Sequence, residues 1–392
     1  MDKKKELVVV QFPYEEREMQ AAVLYEDKKP VEIRMGRPEQ DSILGNVYVG
    51  KVDKVVANIG AAFVNIGDGV ACYYDMQEGV VKAGDEFVVQ VTKEALNKKA
   101  PCVTRNISFT GKYLVFTMEN TRLGLSGKLK EEDRARLKKW IEPLKKDTYG
   151  VVVRTNAATA LKEDILWEYT FLEKRLEHLR EVSSHRTCFS LLEKAAPFYI
   201  SMMRDMNHED LVRIVTDRRE FYEELESYMK VYQPDDLPVL AFYEDKLLPL
   251  YKLFRVEKYL EDCLRERVWL PSGGFLVIQQ TEAFVSIDVN SGKYIGKKKA
   301  QETYRMTNLE AAAAITAHLR LRNLSGIILI DFINLESEEH QQELFHVLQK
   351  HLRRDPVKAM AIDITKLGIV EVTRQRTRNS LWTEYRDLSK NS

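Results

Sequence analysis

The chain has 392 residues, which at roughly 150 residues per domain predicts two or three domains with a full hydrophobic core. It carries 60 Lys and Arg against 60 Asp and Glu, so its formal net charge is zero. This balance excludes a protein that coats nucleic acid through bulk positive charge, and also an acidic disordered chain. It leaves room for a local basic groove, because the sum does not locate the charges. The share of hydrophobic residues, 44%, is typical of a soluble globular protein.

The cysteines and the apolar runs bear on metal use and location. Cys72, Cys102, Cys188 and Cys263 are scattered, and no CxxC or CxxH pair occurs, so a cysteine zinc site is not expected. The first residues, MDKKKELVVVQF, contain an apolar run too short for the core of a signal peptide. No run of about 18 apolar residues predicts a membrane helix. We therefore expect a cytoplasmic protein without an integral membrane segment.

Residues 6–108 predict a succession of short strands. LVVVQF, AAVLY and VEIRM lie before residue 36, and about five more strand patterns follow between 43 and 108. Turns rich in glycine and aspartate separate the later strands, as at Gly67-Asp68-Gly69. So many short strands in so short a stretch are typical of a small barrel or sandwich.

The middle of the chain predicts a mixture of helices and strands. EEDRARLKKWIEPLKK predicts a charged helix, and apolar residues at helical spacing predict a long amphipathic helix over 157–183. The segment PFYISMMRDM is predicted to be a strand.

Residues 274–385 predict an α/β region. FLVIQQ and AFVSIDVN predict a β-hairpin, and a long helix is expected from about Glu302 to Arg322. GIILIDFI is a nearly continuous apolar run, which is typical of a strand buried on both faces. Another helix over 337–354 and two further strands, in VKAMAIDITK and IVEVTR, complete the region.

Two of these strands end in an aspartate, Asp288 in VSIDVN and Asp331 in ILIDFI. In an open α/β sheet, ligands bind outside the carboxyl ends of the strands, and neighbouring strands lie only about 4.8 Å apart. Two such carboxylates can converge on one Mg²⁺ or Mn²⁺ ion, which prefer oxygen ligands. Asn290 would lie on the same side and could hold a phosphate oxygen or a water. The alternative is that both aspartates only cap helices or turns.

Two groups of basic residues lie near the ends of predicted strands. A glycine-spaced run of lysines begins at Lys293, shortly after Asp288 and Asn290, and would suit the phosphates of a nucleic acid. Arg374, Arg376 and Arg378 form a second basic group, whose members share one face if the segment stays extended. Either group alone is more often a solvated face.

The strand-rich region carries aromatic residues that suit single-stranded nucleic acid. Phe63 and Tyr73 flank a glycine-rich turn, and Lys93, Lys98 and Lys99 follow. Exposed aromatic rings that stack on bases, together with cations for the phosphates, are typical of an OB-fold. The alternative is that Phe63 lies in the core.

These residues lie within stretches that resemble the bacterial ribonuclease E/G family, whose members are endoribonucleases that cleave single-stranded RNA. The resemblance covers nearly the whole chain. It is carried by GNVYVGKVDKVVANIGAAFVNIG, KEALNKKAPCVTRNISFTGKYLV, GVVVRT, LPSGGFLVIQQTEAFVSIDVNSG, TNLEAAAAI, LRLRNLSGIILIDFI and GIVEVTRQR.

The resemblance implies an α+β protein of several subdomains. They are an RNase H-like subdomain in two segments (1–35 and 196–265), an OB-fold RNA-binding barrel (36–108), a 5′-phosphate sensor (109–195) and a DNase I-like α/β catalytic subdomain (266–392).

The resemblance also implies the roles of individual residues. The family's catalytic metal ligands fall on Asp288 and Asp331, and its accompanying asparagine falls on Asn290. Its RNA-contacting residues fall on Phe63, Tyr73 and Lys99, where Tyr73 replaces a common phenylalanine and keeps the stacking face. Its pocket for an RNA 5′-monophosphate falls on Gly111, Val115, Arg154 and Thr155.

The residue types of that pocket are suited to binding a phosphate. A guanidinium fork, a hydroxyl and a backbone amide near a glycine suit a terminal phosphate. The alternative for Arg154 is an ordinary salt bridge at a strand end.

Departures from the family pattern concern assembly and 5′-end recognition. Family members often carry a CPxC motif that lets two chains share a zinc ion, followed by a small domain. The chain ends at Ser392 without either, so zinc is not expected and any oligomer would not be zinc-linked. Gly127 stands where relatives commonly carry a basic residue beside the sensor.

The expected function is Mg²⁺-dependent hydrolysis of single-stranded RNA to 5′-phosphate and 3′-hydroxyl ends. The resemblance implies AU-rich targets, a role in rRNA processing or mRNA decay, and an RNA-degradation complex as a further partner. One alternative is an RNA-binding protein, associated with rRNA or ribosomes, that has lost or weakened cleavage. Another is a deoxyribonuclease, which rests only on the shape expected of the catalytic subdomain.

Overall fold

The structure is a computed structural model that describes residues 4–36, 42–95, 100–292 and 300–390. Within these ranges the strands, in chain order, are β1 Lys5–Tyr14, β2 Arg17–Glu26, β3 Lys29–Gly36, β4 Val47–Val56, β5 Ala61–Asn65, β6 Ala71–Asp75, β7 Glu86–Lys93, β8 Cys102–Thr104, β9 Ser108–Thr110, β10 Leu114–Thr117, β11 Leu123–Leu125, β12 Gly150–Val153, β13 Leu191–Glu193, β14 Leu211–Thr216, β15 Leu240–Phe242, β16 Arg267–Trp269, β17 Phe275–Gln280, β18 Phe284–Asn290, β19 Gly326–Asp331, β20 Ala359–Ile364 and β21 Ile369–Arg374.

The α-helices of the same ranges are α1 Glu131–Ile141, α2 Lys162–Ser183, α3 Phe198–Asp205, α4 Arg219–Tyr232, α5 Leu250–Leu253, α6 Val256–Leu264, α7 Ala300–Leu321, α8 Glu338–Leu352 and α9 Leu381–Lys390. In the described part of the chain, no helix is both long and apolar enough to cross a membrane.

The chain divides into two compact units. One comprises Met1–Glu39, Asp210–Leu225 and Pro238–Ser392, and the other comprises Gln40–Glu209 and Glu226–Leu237.

The second unit contains a closed five-stranded barrel. Its strands follow the order β4-β5-β6-β8-β7, and β7 pairs with β4 to close the ring, while β13 adds to the other side of β4. Alternate residues such as Ala62 and Val64 point into a core that also contains Cys72 and Tyr74. A closed barrel of five strands is consistent with the OB-fold that the strand pattern predicted.

The rest of this unit is built on a four-stranded sheet with the order β11-β12-β10-β9. Helix α2 buries Ile165, Leu172 and Leu176 in the same core as the sheet residues Phe116 and Val151. The predicted long helix is therefore confirmed, although residues 155–159 before it form a 3-10 turn.

The predicted strand in PFYISMMRDM is wrong, because this segment forms helix α3. Its buried residues are Tyr199, Ile200, Met202 and Met203, which recur at the three- and four-residue spacing of a helix. Pro197 stands directly before the first turn, where its missing N–H costs nothing.

The first unit contains two sheets, one of which has the order β15-β14-β1-β2-β3. Strands β14 and β15 lie some two hundred residues beyond β1 in the chain, and β14 pairs with β1 in parallel. The two distant segments thus share one sheet and one core, which includes Val8, Val10 and Val215. The predicted subdomain boundaries remain predictions.

The other sheet of this unit has the order β16-β17-β18-β19-β21-β20. The structure confirms the predicted hairpin, which is formed by β17 and β18. It also confirms the helices predicted over about 302–322 and 337–354, which are α7 and α8. Both helices pack on one face of the sheet, against alternate residues of β19 such as Ile328 and Ile330. The other face is open: Ile327 is 54% exposed. The prediction that this strand is buried on both faces is therefore wrong, because the helices of the described residues cover one side of it.

Candidate active site

Two carboxylates lie side by side on the open face of the sheet. Strands β18 and β19 are parallel, and their pairing makes Asp288 and Asp331 direct partners at the carboxyl ends of both strands. Each is exposed, while the neighbours Ile287, Val289 and Ile330 are buried on the helix side. Since paired strands lie about 4.8 Å apart, both side chains can reach one ion.

Asn290 completes this group. Strand β18 continues through Asn290, so its side chain lies on the same face as Asp288, and its Nδ2 donates to Asp288 Oδ2 at 2.8 Å. This hydrogen bond orients one carboxylate and leaves its other oxygen available. In the described part of the chain, neither Asp288 nor Asp331 accepts a backbone N–H of a helix or turn, as the capping alternative would require.

The donor set fits a hard divalent cation. Two exposed carboxylates and an amide supply oxygen ligands of the kind that Mg²⁺ and Mn²⁺ prefer. Among the described residues there is no cluster of three or more His, Cys, Asp or Glu that could enclose a metal ion. Mg²⁺ held by one or two carboxylates commonly completes its shell with water or phosphate oxygens.

Helix α7 holds the chain segments around the carboxylates, and sequence reasoning did not identify this role. The Asn308 amide is fully buried; it donates to Ile333 O at 2.7 Å and accepts from Ile333 N at 3.1 Å. These two bonds fix the backbone just after Asp331. Both residues belong to stretches that the family resemblance singled out, and that was the only signal available.

A second close contact fixes the end of β18. Gly292 has φ +65°, and a Cβ there would lie 2.3 Å from Gly273 O. Only glycine therefore lets the segment after Asn290 pass this close to the preceding turn.

Arg154, the predicted phosphate ligand, is held by two acceptors. Its guanidinium donates to the carbonyl of Gly111 and to Asp205 Oδ1, the latter at 2.9 Å. The salt bridge that was the alternative reading is thus present. Asp205 was missed by sequence reasoning, because it lies about fifty residues away in a segment predicted to be a strand.

The turn at Gly111 is built around a buried carboxylate. Glu168 accepts the backbone N–H groups of Lys112, Tyr113 and Leu114 at 2.7–2.8 Å. Burial nevertheless raises the pKa of Glu168 above its ordinary value. A Cβ at Gly111 would lie 2.4 Å from Glu168 Cδ, so a larger residue here would displace this carboxylate.

The remaining residues of the predicted phosphate pocket differ in exposure. Thr155 is exposed, and its hydroxyl lies 2.9 Å from that of Ser126. Val115 is half-buried in β10 and pairs with Thr110 and Val152. The amides of residues 112–114 are directed at Glu168, whereas the Thr155 hydroxyl is exposed and the Ser126 hydroxyl and the Arg154 guanidinium are half-buried.

Phe63 and Tyr73 are direct partners on β5 and β6 of the barrel. Their ring centroids are 6.5 Å apart at 85°, and both side chains are half-buried. The neighbours Ala62 and Val64 fill the core, so Phe63 lies on the outer side of the barrel rather than in the core. Lys99 and Lys293, the lysines predicted to contact RNA, lie outside the described residues.

The prediction that Arg374 contacts RNA is wrong. Arg374 is 3% exposed; its Nε donates to Asp355 Oδ2 at 2.9 Å and its Nη1 to Asn323 Oδ1 at 2.8 Å. Strand β21 ends at Arg374, so the extended geometry that would align it with Arg376 stops there. Arg376 is exposed, and Arg378 pairs with Glu384 at 2.9 Å.

Fold and site together define a mixed α+β protein that carries a closed barrel in one unit and paired strand-end carboxylates in the other. A family model described as "Ribonuclease E/G family" matches residues 108–377. Ribonuclease G of Haemophilus influenzae is 34% identical over 375 residues, which cover 89% of this chain and 76% of the relative.

Other relatives agree. Ribonuclease G of Escherichia coli K12 is 33% identical over 375 residues, covering 89% of this chain and 76% of the relative. Ribonuclease E of Synechocystis sp. PCC 6803 is 31% identical over 386 residues, covering 94% of this chain and 57% of the relative. The chain belongs to the ribonuclease E/G family.

Proposed function

We propose that the chain is an endoribonuclease that hydrolyses single-stranded RNA to 5′-phosphate and 3′-hydroxyl ends. The observation that carries the proposal is the pairing of Asp288 with Asp331 on the open sheet face of a ribonuclease E/G family member. Its natural substrates would belong to rRNA processing or mRNA decay, as the family resemblance implies.

Each residue of the candidate active site has a separate role. Asp288 and Asp331 hold Mg²⁺, with Mn²⁺ as an alternative, and Asn290 keeps Asp288 oriented through its 2.8 Å hydrogen bond. When bound, Mg²⁺ offsets the charge of the phosphate and lowers the pKa of a water. Asn308 holds the backbone beyond Asp331 in place, so that the carboxylates need little reorganisation when RNA binds.

Recognition of single strands rests on the barrel. Phe63 and Tyr73 lie on its outer side, where unpaired bases can stack on them and duplex bases cannot. Arg154, Thr155 and Ser126 form the best-supported site for a 5′-monophosphate, in which Asp205 holds Arg154 until the phosphate arrives.

The decisive experiment compares cleavage of a 5′-monophosphorylated single-stranded RNA with Mg²⁺ and with EDTA. We expect cleavage only with Mg²⁺, and Asp288→Asn should abolish it because one metal ligand loses its charge. Asp363→Asn, which alters an exposed carboxylate on β20 of the same sheet, is the matched control and should cleave normally. RNA binding without Mg²⁺-dependent cleavage by the unsubstituted protein would instead favour the RNA-binding alternative.

A further inference from the structure

An aromatic cluster with an arginine lies next to the candidate active site, outside every role assigned so far. Trp269 is 65% exposed, and its ring centroid lies 5.3 Å from that of the half-buried Phe275. The guanidinium of Arg267 lies 4.5 Å from the centroid of Phe275 and 5.8 Å from that of Trp269. The three side chains therefore form one contiguous surface.

Strand pairing places this cluster beside the carboxylates. Phe275 on β17 is the direct partner of Asn290, and Trp269 on β16 is the direct partner of Phe275. Directly paired residues point to the same face of a sheet, so the cluster shares the open face with Asp288. Leu276, the next residue after Phe275 in β17, is fully buried on the helix side. At about 4.8 Å per strand, Phe275 lies one strand and Trp269 two strands away from Asn290.

The chemistry of the cluster matches a nucleotide. The exposed Trp269 ring and the half-buried Phe275 ring offer π-faces to a base irrespective of its identity, and the adjacent guanidinium offers charge to a phosphodiester. The polar carboxylates and amide that border the rings suit an RNA strand better than an apolar protein surface. Continuity with the metal-binding face therefore selects RNA as the occupant.

We propose that Trp269 and Phe275 form a subsite in which a nucleobase of the RNA strand stacks next to the scissile phosphate, with Arg267 beside the adjoining phosphate. The subsite rests on the proposed function, and it determines which nucleotides flanking the cleaved bond contribute to binding.

The test measures the dissociation constant of a short, fluorescently labelled single-stranded RNA by anisotropy in EDTA, so that the RNA stays intact. A series of these RNAs carries one abasic nucleotide at successive positions. We expect one position, next to the bond that is cut with Mg²⁺, to weaken wild-type binding roughly 5- to 150-fold when abasic. Trp269→Ala should weaken binding of the RNA without an abasic nucleotide by a similar factor. An abasic nucleotide at that position should then cause no further loss of affinity in this variant.

Phe275→Leu should behave in the same way, because it retains apolar volume and removes the aromatic face. Phe284→Ala is the matched control, since Phe284 is exposed on the same sheet face at the far end of β18. Its profile across the abasic series should equal that of the wild type. Thermal melting of each variant shows whether a change in affinity reflects a loss of folding.

Coupling here means that removing one base weakens binding in the wild type but not in Trp269→Ala. If every abasic RNA loses the same affinity in both proteins, the subsite is overturned. Coupling at a nucleotide distant from the cut would also overturn it. Cleavage of RNA without such coupling would contradict the subsite alone. Coupling in EDTA without any Mg²⁺-dependent cleavage would contradict the proposed function and leave a base-stacking site.

Discussion

At the scale of the residue, burial decides whether a charged side chain builds the fold or faces a ligand. Arg374 and Asp331 end neighbouring strands, β21 and β19, yet Arg374 is enclosed with Asp355 and Asp331 is exposed. A buried charge keeps its ionised form only when hydrogen-bonded partners replace water, and Arg374 has such partners in Asp355 and Asn323. An exposed carboxylate needs none, which leaves Asp331 free to take up a cation.

Replacing Arg374 should therefore damage folding more than RNA binding. We expect Arg374→Met to lower the free energy of unfolding by about 3–5 kcal/mol, because the buried carboxylate of Asp355 loses its ion-pair partner. Urea denaturation measures this, with the exposed Arg376→Met as control, which should stay within about 0.5 kcal/mol of the wild type. Unchanged stability of Arg374→Met together with weaker RNA binding would restore the original prediction for this residue.

Arg154 poses a second question at this scale, because its ion pair with Asp205 competes with a phosphate for the same guanidinium. We expect wild-type protein to cleave 5′-monophosphorylated RNA faster than 5′-hydroxyl RNA, and Arg154→Ala to cleave both equally. The exposed Arg122→Ala is the control and should keep the wild-type ratio. Equal rates for both RNAs in the wild type would reject a 5′-sensor.

At the scale of the element, helix α7 links the core to the candidate active site. Its buried residues include Ala311 and Ile315, which pack on the sheet, and Asn308, which binds the backbone after Asp331. The helix was predicted from the sequence, but the partner of Asn308 lies 25 residues further along the chain. No local pattern indicates such a contact, since it arises only when helix and sheet pack together.

The helix contact predicts a cost in both stability and activity. Asn308→Ala should lower the free energy of unfolding by roughly 1–3 kcal/mol, because the partly buried N–H and C=O of Ile333 lose their partners. Cleavage per folded molecule should also fall, while RNA affinity in EDTA stays unchanged.

Thr316→Ala is the control on the same helix, since its hydroxyl donates to the carbonyls of Ala312 and Ala313 within α7 itself. Stability and cleavage equal to those of this control would show that Asn308 does not position the site.

At the scale of the whole molecule, the zero net charge coexists with buried and clustered ionisable groups that make stability depend on pH. His318 is the clearest case. Its Nδ1 accepts a hydrogen bond from Arg322 Nε at 3.1 Å, so the ring is neutral. Burial, assisted by the charge of Arg322, lowers the pKa of His318 from 6.5 to about 3.

This shift predicts acid destabilisation. Between about pH 6.5 and 3 the unfolded chain binds a proton at His318 that the folded chain does not, so stability falls as the pH falls, by about 1.4 kcal/mol per pH unit. His318→Gln keeps an acceptor for Arg322 and cannot titrate. We expect the wild type to lose about 2 kcal/mol more than this variant between pH 7 and pH 5 in urea denaturation. Parallel losses in both proteins would mean that His318 titrates normally.

The sequence by itself determined the family, the barrel's strand content, the main helices of the α/β region and the identity of the two strand-end aspartates. These follow from periodicity and from motifs, which are local properties of the chain. It misassigned PFYISMMRDM because apolar residues three and four positions apart can also be read as a short strand when helix caps are weak.

Only the tertiary structure decided which residues meet. Strand pairing brought Asp288 to Asp331 and Phe275 to Asn290, and packing turned Arg374 inward and set Asp205 against Arg154. Each of these contacts joins chain segments that are distant in sequence, and its geometry depends on register and on which sheet face the helices cover. A side chain's role in this protein is therefore decided by the surroundings that folding assembles around it.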